Sequence, residues 1–183
     1  MKTYTLHLQM RSLTRRVPTT IRSAMFRLAG IVALLAATLS APAASFFSDF
    51  NSGLPAGTAV YSNSTIIATG GYTNSGYLQL TPNLASQSAG FVITNDLDAG
   101  APVYGFVAQF KALIGGGTGA DGISFNFAPD LPFGAISEDG AGTGLSIEFD
   151  TYGNDVSDNV GIDVWASRSE LAQQPFSGLR ANT

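Results

Sequence analysis

The hexapeptide GISFNF, Gly122 to Phe127, carries the clearest alternation in the chain. Ile123, Phe125 and Phe127 fall on one side, Ser124 and Asn126 on the other. A period of two gives a β-strand one apolar and one polar face. The same texture recurs on both sides of it. Phe46 to Phe50, Val60 to Ile67, Tyr77 to Leu80, Gly90 to Thr94, Val103 to Ile114, Leu145 to Thr151 and Val160 to Ala166 all read as strands. Turn signals such as Thr73-Asn74-Ser75-Gly76 and Gly115-Gly116-Gly117 separate them. Only Ser169 to Gln174 reads as helical, and it is short. No internal repeat is present. The fold class is therefore all-β, and a two-sheet sandwich is the natural way to bury so many short strands.

The N-terminus has a different character. Arg11, Arg15, Arg16, Arg22 and Arg27 precede the apolar run Leu28 to Ser40, and Ala41-Pro42-Ala43 follows with small residues. That order describes a cleaved secretory signal, residues 1–43. The run is shorter than the roughly 20 residues a membrane span requires. Met25-Phe26-Arg27 and the run behind it make a signal of ordinary length, so Met25 is an alternative start. Arg15-Arg16 leaves a twin-arginine reading open. The mature part is then one domain, residues 44–183, secreted and without a membrane span.

Removing residues 1–43 changes the charge. Lys111, Arg168 and Arg180 remain as cations against thirteen acidic residues, a formal charge of −10 rather than −4. Nine of the acids fall between Asp121 and Asp163. Nucleic acid is thus an unsuitable partner. His7 is the only histidine and there is no cysteine. A Ser-His-Asp triad, a cysteine nucleophile and ordinary zinc sites are excluded from the mature chain. Acidic clusters without His or Cys suit a hard, oxygen-loving cation such as Ca²⁺; a solvated acidic surface is the plainer alternative. Gly115-x-Gly117-x-x-Ala120 matches a dinucleotide loop only superficially, because no helix follows it. Asn63-Ser64-Thr65 is a glycosylation sequon of a kind that chance often produces.

The acids concentrate in GLSIEFDTYGND, Gly144 to Asp155. Glu148 and Asp150 share one face of a strand, about 7 Å apart. Like charges that close repel and resist desolvation. Tyr152, Asn154, Asp155 and Asp158 follow, so oxygen donors arrive every second residue and then enter a loop. A turn through Gly153 can bring them over the strand and collect carboxylates, an amide oxygen and a backbone carbonyl around one cation.

Glu148-Phe149-Asp150-Thr151-Tyr152-x-Asn154, followed by Val160-Gly161-Ile162-Asp163-Val164, resembles the metal-binding segment of the legume-type (L-type) lectins. Ala120-Asp121-Gly122-Ile123-x-Phe125 and the later Ala128-Pro129 resemble that family's first sugar-binding loop and its strand. The likeness spans about Phe46 to Val164 and is dense over Gly119 to Val164. It is nearest to secreted bacterial lectin-like proteins. It implies a concanavalin A-like jelly-roll sandwich of two antiparallel sheets. It also implies Ca²⁺ bound by Asp150, the Tyr152 carbonyl, Asn154 and either Asp155 or Asp158. Glu148 matches a ligand of a neighbouring transition-metal site. That site also needs a histidine where this chain has Asn159, so calcium alone is expected. Asp121 is implied to accept hydrogen bonds from sugar hydroxyls, Asn154 to bridge metal and sugar, and Gly140 or Gly142 to offer a backbone N–H. Tyr152 and Phe133 are candidates for an aromatic platform.

The expected function is recognition of a carbohydrate, without catalysis. One alternative is a structural or adhesive module that has kept the sandwich and lost sugar binding. Another is a glycoside hydrolase of the same fold, whose strand motif needs a second Glu where Tyr152 and Gly153 stand. A complete sandwich of this type is expected to be longer than residues 44–183, so the chain is expected to be truncated at its C-terminus.

Overall fold

The computed structural model describes residues 6–9, 44–115, 121–154 and 160–176. Their regular structure is β throughout, apart from a 3-10 turn at Tyr72–Asn74. The strands are β1 (Leu6–Gln9), β2 (Ser45–Ser48), β3 (Thr58–Ser62), β4 (Thr65–Ile67), β5 (Tyr77–Gln79), β6 (Ala89–Ile93), β7 (Val107–Gln109), β8 (Gly122–Phe127), β9 (Leu145–Asp150), β10 (Gly161–Ala166) and β11 (Ser169–Pro175). One sheet runs β11-β10-β9-β8 and another β2-β1-β7, with β3-β6 and β4-β5 as separate pairs. Every pairing is antiparallel. This is the all-β architecture expected, consistent with a sandwich.

The expected strand over Gly122 to Phe127 matches β8 at both ends. Elsewhere the boundaries move. The run Val60 to Ile67 splits into β3 and β4, because Ser62 adopts a positive φ of 58° and the Ser64 N–H bonds back to the Tyr61 carbonyl. Val103 to Ile114 contracts to β7 alone. The expected helix over Ser169 to Gln174 is corrected: these residues form β11. Ser167 and Arg168, at φ 50° and 63°, make the tight turn that returns β11 antiparallel to β10. Strand pairing there overrides the local helix preference of Glu-Leu-Ala-Gln. One strand lies in the stretch read as a leader: β1 pairs with both β2 and β7.

The core is a layer of phenylalanines on the apolar face of β8 and β9. Phe106 stacks on Phe127 with ring centroids 4.6 Å apart and meets Phe125 at 6.0 Å. Phe110 contacts Phe125 at 6.1 Å and Phe149 edge-on at 5.8 Å. Phe46 and Phe50 close the layer against Phe91. Offset and edge-on aromatic pairs of this kind add to the area they bury. Val160 and Val92 are the other buried apolar side chains among the described residues. The layer fixes which face of the β11-β10-β9-β8 sheet points away from it, and that opposite face carries the acids.

Candidate functional site

Strand β9 alternates in burial as well as in chemistry. Ser146, Glu148 and Asp150 are buried, while Leu145, Ile147 and Phe149 are half-buried. Its polar side is thus the more enclosed one. Register extends this face into the neighbouring strands. Asp150 lies between Gly122 and Gly161, Glu148 between Ser124 and Asp163, and Ser146 between Asn126 and Trp165. Glu148, Asp150 and Asp163 are only 8%, 7% and 5% exposed. Gly122 and Gly161 carry no side chains, so neither flank crowds the Asp150 carboxylate.

The face is covered by the loop between β8 and β9. Ser124 Oγ donates to the Ser137 carbonyl at 2.7 Å, and the Ala141 N–H donates to Asn126 Oδ1 at 2.8 Å. Thr143 N–H donates to Asp130 Oδ1 at 2.8 Å. The β10–β11 turn holds the loop's far end, since Ser167 donates from its N–H to the Gly144 carbonyl and from its hydroxyl to the Thr143 carbonyl. Gly140 sits so low on the sheet that a Cβ would fall on Ser146 Oγ and within 2.6 Å of Asn126 Oδ1. Gly140 and Gly142 also have φ of 81° and 83°, a region that favours glycine.

Electrostatically the face is loaded with one sign. Burial pushes the Glu138 carboxyl up to about 7, and the charges of Asp121, Asp139 and Asp150 add to the rise. Burial likewise raises Glu148 to about 7; the Trp165 indole opposes this, while Asp139, Asp163 and Asp150 reinforce it. Both carboxyls are thus held toward their protonated form, relative to a free glutamate. Asp130 moves the other way, held low first by the Thr143 backbone N–H and aided by Arg168. Lys111 lies over the Tyr72 ring, 2.9 Å from its centroid.

The residues singled out from sequence separate into two groups. At one end of β9, the Tyr152 N–H donates to Asp150 Oδ1 at 2.8 Å and turns the chain back over the strand. Thr151 donates to the Asp121 carbonyl from its N–H at 2.9 Å and its hydroxyl at 2.8 Å. Asn154 Nδ2 donates to Glu138 Oε1 at 3.3 Å. Asp121, Asp150, Tyr152 and Asn154 therefore gather at that end. Gly140 and Gly142 belong to the other end, over Ser146 and beside Ala128 and Asp130. Ser146 and Asp150 are four residues apart on one strand, about 13 Å. Phe133 and Tyr152 are exposed. Asp155, Asp158 and Asn159 lie outside the described residues.

Glu138, Ser146, Asp163 and Trp165 join the face without having been marked by sequence as site residues. Asp163 and Trp165 share a parity in GIDVWA, which hinted at a common face, but only register sets them beside Glu148 and Ser146. Glu138 arrives through the loop's path, which no periodicity encodes. Among the described residues no group of three or more His, Cys, Asp or Glu side chains is placed to hold a metal ion. The donors near Asp150 are oxygen atoms, the kind Ca²⁺ takes. A full set would draw on Asp155 or Asp158.

Among the described residues no helix is long and apolar enough to cross a membrane. In comparisons with known proteins, no family model, no curated protein and no solved structure matches the chain.

Proposed function

We propose that this chain is a secreted, lectin-like carbohydrate-binding module that loads Ca²⁺ at the Asp150 end of its acidic face and does no catalysis. The observation that carries the proposal is the burial of Glu148, Asp150 and Asp163 on adjacent strands of one sheet face. Burying like charges side by side is costly unless protons or a cation neutralise them. A divalent cation reverses the local repulsion and stays bound above pH 7, where protons leave. Asp150, the Tyr152 carbonyl and Asn154 would hold it, with Asp155 or Asp158 completing the set and Glu148 standing behind. Bound Ca²⁺ supplies charge and order. The chain's own Asp121 then offers acceptor oxygens to sugar hydroxyls, on a backbone that Thr151 already fixes from the same end. A legume-type lectin arrangement on a concanavalin A-like sandwich is the architecture this implies.

A glycan array tests it. Retention of at least one glycan is expected to rise with calcium, and Asp121→Asn or chelation should remove that calcium-dependent part. No retention with calcium present would leave a structural or adhesive module as the better account.

One observation favours a second reading, glycoside hydrolysis. The strand lacks a second Glu, but the loop brings Glu138 beside Asp150, with its carboxyl near 7. A carboxyl in that range suits a general acid. Release of reducing ends from a polysaccharide, abolished by Glu138→Gln, would establish it and displace the lectin proposal.

A further inference from the structure

The polar face has a second feature, away from Asp150. A cleft of about 600 Å³ opens at the Ser146 end. Trp165 lines it, with Ser146 as its cross-strand neighbour and Glu148 two residues further along β9. One wall is the backbone of Gly140, Ala141 and Gly142, with Asp139 beside it. Arg168 and Asp130 stand at the same cleft. Glu148 is more than nine-tenths buried and still lines the opening. The volume lies in the range of small-molecule sites, where apolar walls meet a few placed polar groups.

We infer that this cleft binds a neutral pyranose, stacked on the Trp165 indole, at a subsite distinct from the Asp121–Asp150 end. The class of ligand rests on the carbohydrate-binding proposal above; the place does not. An indole face matches the apolar C–H face of a pyranose ring. Carboxylates at Asp139 and Glu148 accept from adjacent hydroxyls, and Arg168 donates. Three acids against one guanidinium disfavour an anionic sugar. The wall is preformed, because the Ala141 N–H is tied to Asn126 and the Thr143 N–H to Asp130. A preformed wall spares the ligand the cost of ordering a loop.

Trp165 is the only tryptophan in the sequence, so its emission reports on this cleft directly. The full chain is titrated with neutral gluco-, manno- and galacto-configured trisaccharides, and separately with glucosamine and choline. A saturable emission change with a neutral trisaccharide is expected. The affinity should fall about tenfold in Asp139→Ala and in Arg168→Ala, each a lost charged hydrogen bond at an exposed residue. It should hold within about twofold in Asp121→Asn, and circular dichroism checks that each variant is folded. Loss of the signal in Asp121→Asn would place the sugar at the other end and overturn the inference. Response to glucosamine or choline alone would also overturn it, by making the cleft a cation site. A positive glycan array with silent Trp165 emission would sink the cleft and leave the lectin proposal standing. Silence in both would remove the two together.

Discussion

The two sides of strand β9 differ in what they contribute. Leu145, Ile147 and Phe149 face the phenylalanine layer, where Phe149 meets Phe110. Ser146, Glu148 and Asp150 face the loop and are buried more deeply than their apolar neighbours. The first side gains free energy by leaving water. The second spends it, because carboxyls are enclosed beside others of the same sign. On the proposal above, a strand that hides its acids better than its apolar residues is organised around a site, with the aromatic side supplying the stability that the acidic side consumes. The contrast can be broken from either side.

The largest effect is expected from the aromatic side. Phe149→Ala should lower unfolding free energy by about 3 kcal/mol, as for other large aromatic truncations, measured by urea denaturation. A loss under about 1 kcal/mol would mean that the layer is not the foundation of this sheet. Gly140→Ala comes next, at about 2 kcal/mol, since a Cβ must meet Ser146 and Asn126 at a positive φ. If the variant is as stable as the parent, the loop does not lie down on the acidic face.

On the acidic side the sign should reverse. Glu148→Gln keeps the shape and removes a buried charge, so the metal-free protein should gain about 1 kcal/mol. Destabilisation in the absence of metal would show that the charge is already compensated. An effect of comparable size is expected in pH. Glu138 and Glu148 titrate near 7 when folded, well above the ordinary 4.5. Their favourable contribution is complete below about 4.5 and disappears as pH rises through about 7. Without metal, melting at pH 5 should exceed melting at pH 8 by about 3–5 °C from this source. Saturating Ca²⁺ should narrow or invert that difference, because ligands bind metal in their ionised form.

Parity along single strands was legible in the sequence. Ile123, Phe125 and Phe127 declared one face of β8, and Glu148 and Asp150 a shared face of β9, and the structure keeps both arrangements. What lay beyond reach was anything set by pairing or by a loop's route. Asp163 and Trp165 joined the site through register with β9, a relation between distant segments. Gly140 and Gly142 were grouped with Asp121 on sequence, yet their loop settles over Ser146 instead. The β10–β11 turn was hidden for another reason. It is made by Ser167 and Arg168 at positive φ, where no glycine or asparagine signals it. Without that turn, Ser169 to Gln174 looked like a short helix.

Calcium titration of the chelator-treated full chain, followed by melting temperature, tests the central claim most directly. At pH 7.5 the wild type should show a saturable rise, about 2–3 kcal/mol of added stability at a hundredfold excess over Kd, and Asp150→Ala should show none. A wild type whose melting ignores Ca²⁺, or an Asp150→Ala variant that responds as fully as the parent, would contradict a cation-loaded acidic face.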